Sequence, residues 1–136
     1  MSWEITILSA LRKNYILHNK VRGDQKLARI CLLLMRLPRS DEEAERMYGM
    51  AHHAKEQGMD VEIYLLGDGV FCAKKGQKQN IRTALEKGIF VRASAKDLRA
   101  RAISKEQVEP RVEIIEDLES IFVEDIMEKA DRVISW

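Results

Sequence analysis

Residues 30–35 read Ile-Cys-Leu-Leu-Leu-Met, six apolar side chains in a row between Arg29 and Arg36. So short a run suits a strand, and the missing polar alternation describes a strand buried on both faces. A parallel sheet with helices above and below meets that requirement. The rest of the chain alternates accordingly. Ser40 with Glu43 reads as a capping box, and the helix it opens runs to about Gln57 with Ala44, Met47, Tyr48, Ala51 and Ala54 on one face. Gly58 stops it. Residues 60–66 form a second strand, ended by the turn Gly67-Asp68-Gly69. Short helical segments follow over 70–75 and 79–87, then a third strand over 89–93 and a basic helix over 95–102. Residues 112–115 are a fourth strand. Leu118, Ile121, Phe122, Ile126 and Ala130 mark an amphipathic helix, and residues 133–136 close the chain as a fifth strand. This order predicts an α/β fold: a mainly parallel five-stranded sheet with right-handed crossovers and helices on both faces, a flavodoxin- or Rossmann-like three-layer sandwich.

The 136 residues suffice for one such domain. With 46% apolar and 33% charged residues the chain is globular rather than disordered. A net charge of +1 supplies no global field to draw nucleic acid or an anionic membrane. The longest apolar run is far short of a membrane span, and the first residues lack the apolar stretch of a signal peptide. The two cysteines, Cys31 and Cys72, belong to no CxxC pair and no Cys/His cluster, so neither a disulfide framework nor a zinc site is expected. Free thiols fit a reducing cytoplasm, and no motif calls for a metal or cofactor.

Residues 1–25 stand apart from the domain expected over 26–136. Ile7, Leu8, Leu11 and Tyr15 repeat at helical spacing, and a helix from about Glu4 to His18 is favoured, although Trp3, Ile5 and Ile7 alternate as a strand would. Residues 1–29 carry six Lys/Arg against two acids. Packing on the domain is the first reading. Docking on another subunit and lying at a membrane surface stay open.

Other constellations have a plain reading and a functional one. Gly67-Asp68-Gly69 is a glycine turn that can also offer backbone N–H groups to an anion, and Asp68 can cap the helix after it. Neither a Walker pattern nor a GxGxxG accompanies it. His52 and Glu56 share a helix face, but two ligands do not make a metal site. Asp97 and Arg101 are spaced for an ion pair on a helix face. Lys96, Arg99, Arg101 and Lys105 read as a solvated basic face, without the interleaved aromatics of a nucleic-acid groove.

Taken together, the capped helix after the first strand, Gly67-Asp68-Gly69-Val70 followed by Ala73-Lys74-Lys75-Gly76-Gln77, the strand running into Ser94-Ala95-Lys96-Asp97-Leu98-Arg99-Ala100-Arg101-Ala102-Ile103, and the ending Ala130-Asp131-Arg132-Val133-Ile134 resemble the DsrE/DsrF-like family over about residues 29–136. That family includes the TusD-type sulfur-relay subunits. The resemblance implies a sandwich around a parallel sheet. It also implies assembly as trimers or hexamers, or with related subunits. Active relatives carry sulfur as a persulfide on a cysteine just after the third strand, seven residues before an arginine that matches Arg101. That position is Ser94 here, and the place three residues on, cysteine in some relatives, is Asp97. The family glycine after the arginine is Ala102, which implies a relaxed demand on the local backbone.

Persulfide relay needs a thiolate, and neither a hydroxyl nor a carboxylate can hold the transferred sulfur. The resemblance therefore implies a non-catalytic subunit that assembles or binds a partner. The alternatives are a sulfurtransferase using Cys72, with Lys74 and Lys75 lowering its pKa, or a small-ligand or nucleotide binder at Gly67-Asp68-Gly69 with Arg101. Cys72 also has a plain reading as a small buried hydrophobe, and Cys31 reads as core.

Overall fold

Residues 28–136 are described by the computed structural model of the chain; the helix expected over residues 4–18 and the boundary expected after residue 25 lie outside them. The strands are β1 (Arg29–Leu34), β2 (Asp60–Leu65), β3 (Phe90–Ser94), β4 (Glu113–Ile115) and β5 (Arg132–Ser135). The helices are α1 (Asp41–Glu56), α2 (Arg82–Glu86), α3 (Ala95–Ala100), α4 (Leu118–Ile121) and α5 (Met127–Lys129). A π turn over Phe122–Ile126 joins α4 to α5, and 3₁₀ turns occupy Gly67–Ala73 and Lys105–Gln107.

All strand pairs are parallel, in the order β4-β3-β2-β1-β5. The chain steps outward from β1 to β4, then returns past β1 to form β5. Right-handed crossovers therefore set α1, α2 and α3 on one face and the α4–α5 segment on the other. The packing follows. Ile30, Leu32, Leu34, Val61, Ile63, Leu65, Val91 and Ala93 meet Met47, Ala51, Ala54, Leu85 and Leu98 in the large core. On the other face Cys31, Tyr64, Leu66 and Leu118 form a small cluster, joined by Leu33, Ile115 and Phe122. The expected sandwich is present, but its two outer layers are unequal.

The thinner face carries charge inside the sheet. Glu62 is buried on β2, where its carboxylate accepts from Arg29 Nη2 at 2.7 Å and from the Tyr64 hydroxyl at 2.8 Å. Arg92 on β3 donates to Tyr64 Oη at 2.6 Å, lies 3.6 Å from Glu62 and pairs with Glu113 at 3.2 Å. Burial pushes the Glu62 carboxyl upward, yet the Arg29 and Tyr64 hydrogen bonds and the charges of Arg29 and Arg92 outweigh it and hold the pKa below the usual range. The register aligns Phe90, Glu62, Cys31 and Val133 in one row across four strands.

Several boundaries differ from the sequence expectations for local reasons. Ser40 Oγ accepts from Glu43 N at 3.1 Å, but the Glu43 carboxylate turns to Arg39 N at 3.0 Å and to the Arg36 guanidinium, so the capping box is half formed. The helix expected over 79–87 begins only at Arg82. Gln79 stands at φ +63°, its carbonyl accepts from Tyr48 Oη at 2.9 Å, and Asn80 Oδ1 accepts from Arg82 N at 3.1 Å. The segment expected as helix over 70–75 is the tighter 3₁₀ turn. The basic helix stops at Ala100, with Ala102 at φ +55°. The reading of Ala102 as a relaxed backbone position is corrected: the left-handed conformation a glycine would favour is kept, with alanine in it.

Candidate functional site

Open parallel sheets gather their sites at the carboxyl ends of the strands, where loops from several crossovers meet. There the chain places the β2 turn beside the start of α3. Gly67 sits at φ +56°, a conformation open to glycine, and its N–H donates to Asp97 Oδ2 at 2.9 Å. Gly69 is required for a different reason. A Cβ there would lie 1.8 Å from the Leu34 carbonyl oxygen, so the turn can pass over the end of β1 only without a side chain. Its N–H donates to Leu66 O at 2.9 Å. The amides of both glycines thus have intramolecular acceptors.

Asp68 does not cap the helical turn that follows it. Its carboxylate accepts from Arg101 Nε at 2.8 Å. Arg101 also donates to Asp97 O at 3.1 Å and lies 3.6 Å from Asp97 Oδ1, so the ion pair read from spacing exists and extends to the glycine turn. Ser94 ends β3, is buried, and caps α3: its Oγ accepts from Asp97 N at 3.2 Å. Gly67, Asp68, Ser94, Asp97 and Arg101 therefore form one hydrogen-bonded cluster.

Cys72 lies apart from that cluster, fully buried under the end of β1, with Sγ 3.9 Å from Arg36 O. Burial pushes its thiol up to about 11 against a smaller lowering by the Tyr48 hydroxyl, so at neutral pH it is protonated. Lys74 and Lys75 do not bring it down. Cys31 is also fully buried, and burial with the nearby Glu62 carboxylate raises its pKa to about 12. His52 Nε2 lies 3.0 Å from Glu56, as their spacing indicated. Among the described residues no group of three His, Cys, Asp or Glu gathers as metal ligands, and no helix is long and apolar enough to cross a membrane.

Sequence reasoning missed two features. The Arg36–Glu43 pair at the carboxyl end is one, where the Arg36 hydrogen bond holds the Glu43 carboxyl below its ordinary pKa against the effect of burial. The Glu62 network is the other. Its signal was present, since Glu62 is the one charge inside the otherwise apolar stretch 61–66. A groove of about 490 Å³ between α1 and α2, lined by Tyr48, Gly49, His52, Thr83 and Lys87 among others, contains none of the expected site residues.

The sequence model of the DsrE/DsrF-like family matches residues 28–136. A comparison with curated proteins finds no match. Among solved structures, the YchN protein from E. coli is similar, at 22% identity and a TM-score of 0.64, over 82% of this chain and 100% of that one. MTH1491, a protein of unknown function from Methanobacterium thermoautotrophicum, is similar at 12% identity and a TM-score of 0.67, over 80% of this chain and 99% of that one. Likeness at these identities is a likeness of fold.

Proposed function

The chain belongs to the DsrE/DsrF-like family, and from that premise we propose that it is a non-catalytic subunit tied to sulfur relay, one that assembles with copies of itself or with related subunits. The observation that carries this reading is the state of Ser94. It stands where the family resemblance puts the sulfur carrier, and its hydroxyl accepts the Asp97 amide as the cap of α3. A hydroxyl there cannot form a persulfide. The neighbouring Asp97 is likewise engaged, on Gly67 N and Arg101. The two thiols offer no ready replacement, being buried and protonated at neutral pH. What remains at the carboxyl end is a surface for a partner: exposed Met35 beside Gly67, with the Asp68–Arg101 pair next to it.

The deciding experiment is incubation of the purified protein with a sulfane-sulfur donor followed by intact mass measurement. No gain of a sulfur atom is expected, under conditions that load a cysteine-bearing relative. A sulfur adduct that disappears in Cys72→Ala makes the protein a sulfurtransferase and overturns the reading. Assembly is checked by mass in solution at micromolar concentration. A strict monomer, both alone and with related subunits, removes the oligomeric part.

A further inference from the structure

We propose that the groove between α1 and α2 is a binding site for a small zwitterion of tripeptide size, its ammonium group meeting Glu45 and its carboxylate meeting Lys87. The groove holds about 490 Å³, within the range of small-ligand sites. It shares no residue with the cluster around Ser94 and Asp97. Two sets of contacts fix its direction. Near the start of α1, Gln79 Nε2 donates to Asp41, and Tyr48 Oη donates to the Gln79 carbonyl at 2.9 Å. At the far end Lys55 Nζ donates to Gly88 O at 3.1 Å. Residues 79–88 therefore run beside α1 in the same direction, which puts Lys87 toward the carboxyl end of α1. Buried Ala44, Tyr48 and Ala84 floor the channel between them.

Gly49 keeps the middle of the groove clear. It is exposed halfway along α1, where glycine is the costliest residue after proline. A Cβ there would meet no atom of the chain within 4 Å, so packing inside the chain does not call for a glycine. A ligand passing over that point does.

The charges at the two ends select the ligand. Asp41 and Glu45 line one end, and His52 and Lys87 the other. Asp41 is held by Gln79 and Lys78, and His52 by Glu56. Among the described residues, the side chains of Glu45 and Lys87 have no hydrogen-bond or ion-pair partner, so one free anion faces one free cation along the groove. Glu45 and His52 are seven residues apart on α1, an advance of about 10 Å. Three extended residues span about the same distance between their termini. The peptide groups of such a ligand pass the Thr83 hydroxyl, which also lines the groove. A ligand with a single charge leaves either Glu45 or Lys87 unmatched.

Titration of the isotope-labelled full chain with trialanine, followed by amide chemical shifts, tests the assignment. Saturable shifts are expected, confined to α1 and residues 79–88, with a dissociation constant of about 0.1–1 mM for a ligand of so few atoms. Trialanine acetylated at its amino end and amidated at its carboxyl end should bind at least about threefold more weakly, because both exposed ion pairs are lost. Lys87→Ala should weaken the free peptide by the same factor as carboxyl amidation does, and should leave the affinity for the amidated peptide unchanged. Gly49→Leu alters an exposed helix position, fills the middle of the groove and should abolish binding, with the fold checked by the spectrum itself. Lys87→Ala serves as the second variant if Gly49→Leu fails to fold. Absence of saturable shifts at about 10 mM trialanine overturns the proposal. Equal affinity for the blocked peptide, shifts centred elsewhere on the chain, or unchanged binding by Gly49→Leu or Lys87→Ala each overturns it as well.

Discussion

Replacing Glu62 by glutamine removes one negative charge and almost no volume. The site predicts a large effect for so small a change. The carboxylate is 10% exposed and is approached by two guanidinium groups, Arg29 at 2.7 Å and Arg92 at 3.6 Å, and by the Tyr64 hydroxyl at 2.8 Å. A hydrogen bond to a charged acceptor contributes about 1.5–3 kcal/mol, and breaking a buried pair costs about 3–5 kcal/mol because the partner is left uncompensated. Arg29 and Arg92 are 21% and 26% exposed, so water recovers part of that loss, and glutamine still accepts through its carbonyl. The expected destabilisation is about 2 kcal/mol at pH 7. The sign with pH follows from the lowered pKa of Glu62. The charge contributes fully above the unfolded value, about 4.3, and its contribution is lost as pH falls through the folded value. Urea unfolding followed by circular dichroism at pH 7 and near pH 3 measures both. A difference below about 0.5 kcal/mol at pH 7, or one that does not shrink in acid, refutes the account of this network.

Ala102→Gly should stabilise the fold by about 0.5–1 kcal/mol, because relief of the left-handed strain exceeds the extra entropy of an unfolded glycine; thermal melting checks it. Gly69→Ala and Gly49→Ala should act in opposite directions. The first drives a Cβ into the Leu34 carbonyl and should cost upwards of about 3 kcal/mol, while the second places a Cβ on the middle of α1 where it meets nothing and should gain about 1 kcal/mol. Equal effects in urea titrations would contradict that account. Neither thiol should react with a disulfide reagent in the native protein at pH 7.5. Both should react at once in denaturant, as a thiol count before and after unfolding would report.

The sheet was legible because its signals are collective. Ile30–Met35 is an unbroken apolar run of strand length and residues 61–66 are apolar but for Glu62, which together mark the centre of a parallel sheet. The face of α1 was legible for the same reason: Ala44, Met47, Tyr48, Ala51 and Ala54 are all buried as their spacing requires. Single-residue turns were less legible. The late start of α2 depends on Tyr48 reaching the Gln79 carbonyl across 31 residues, a contact no local pattern contains. The half-formed capping box fails likewise, since Arg36 lies close enough to draw the Glu43 carboxylate away.

The candidate site divides along the same line. Asp97 and Arg101 were paired by their spacing on one helix, but their joint hold on the glycine turn depends on β2 and β3 being neighbours, which is a property of the whole sheet. The same reasoning bears on Ser94. Once Asp97 is anchored to Gly67, the α3 N-terminus is fixed at the top of β3, and the residue at 94 must serve as its cap. Serine is among the residues that do this best. A cysteine would cap less well, since sulfur is a weak acceptor, and would leave the Asp97 amide short of a partner. The Ser94 hydroxyl is therefore a group well suited to satisfy this turn. Ser94→Cys should accordingly lower stability by about 1 kcal/mol, the cost of losing a cap. A variant as stable as the parent in urea would show that the cap contributes nothing.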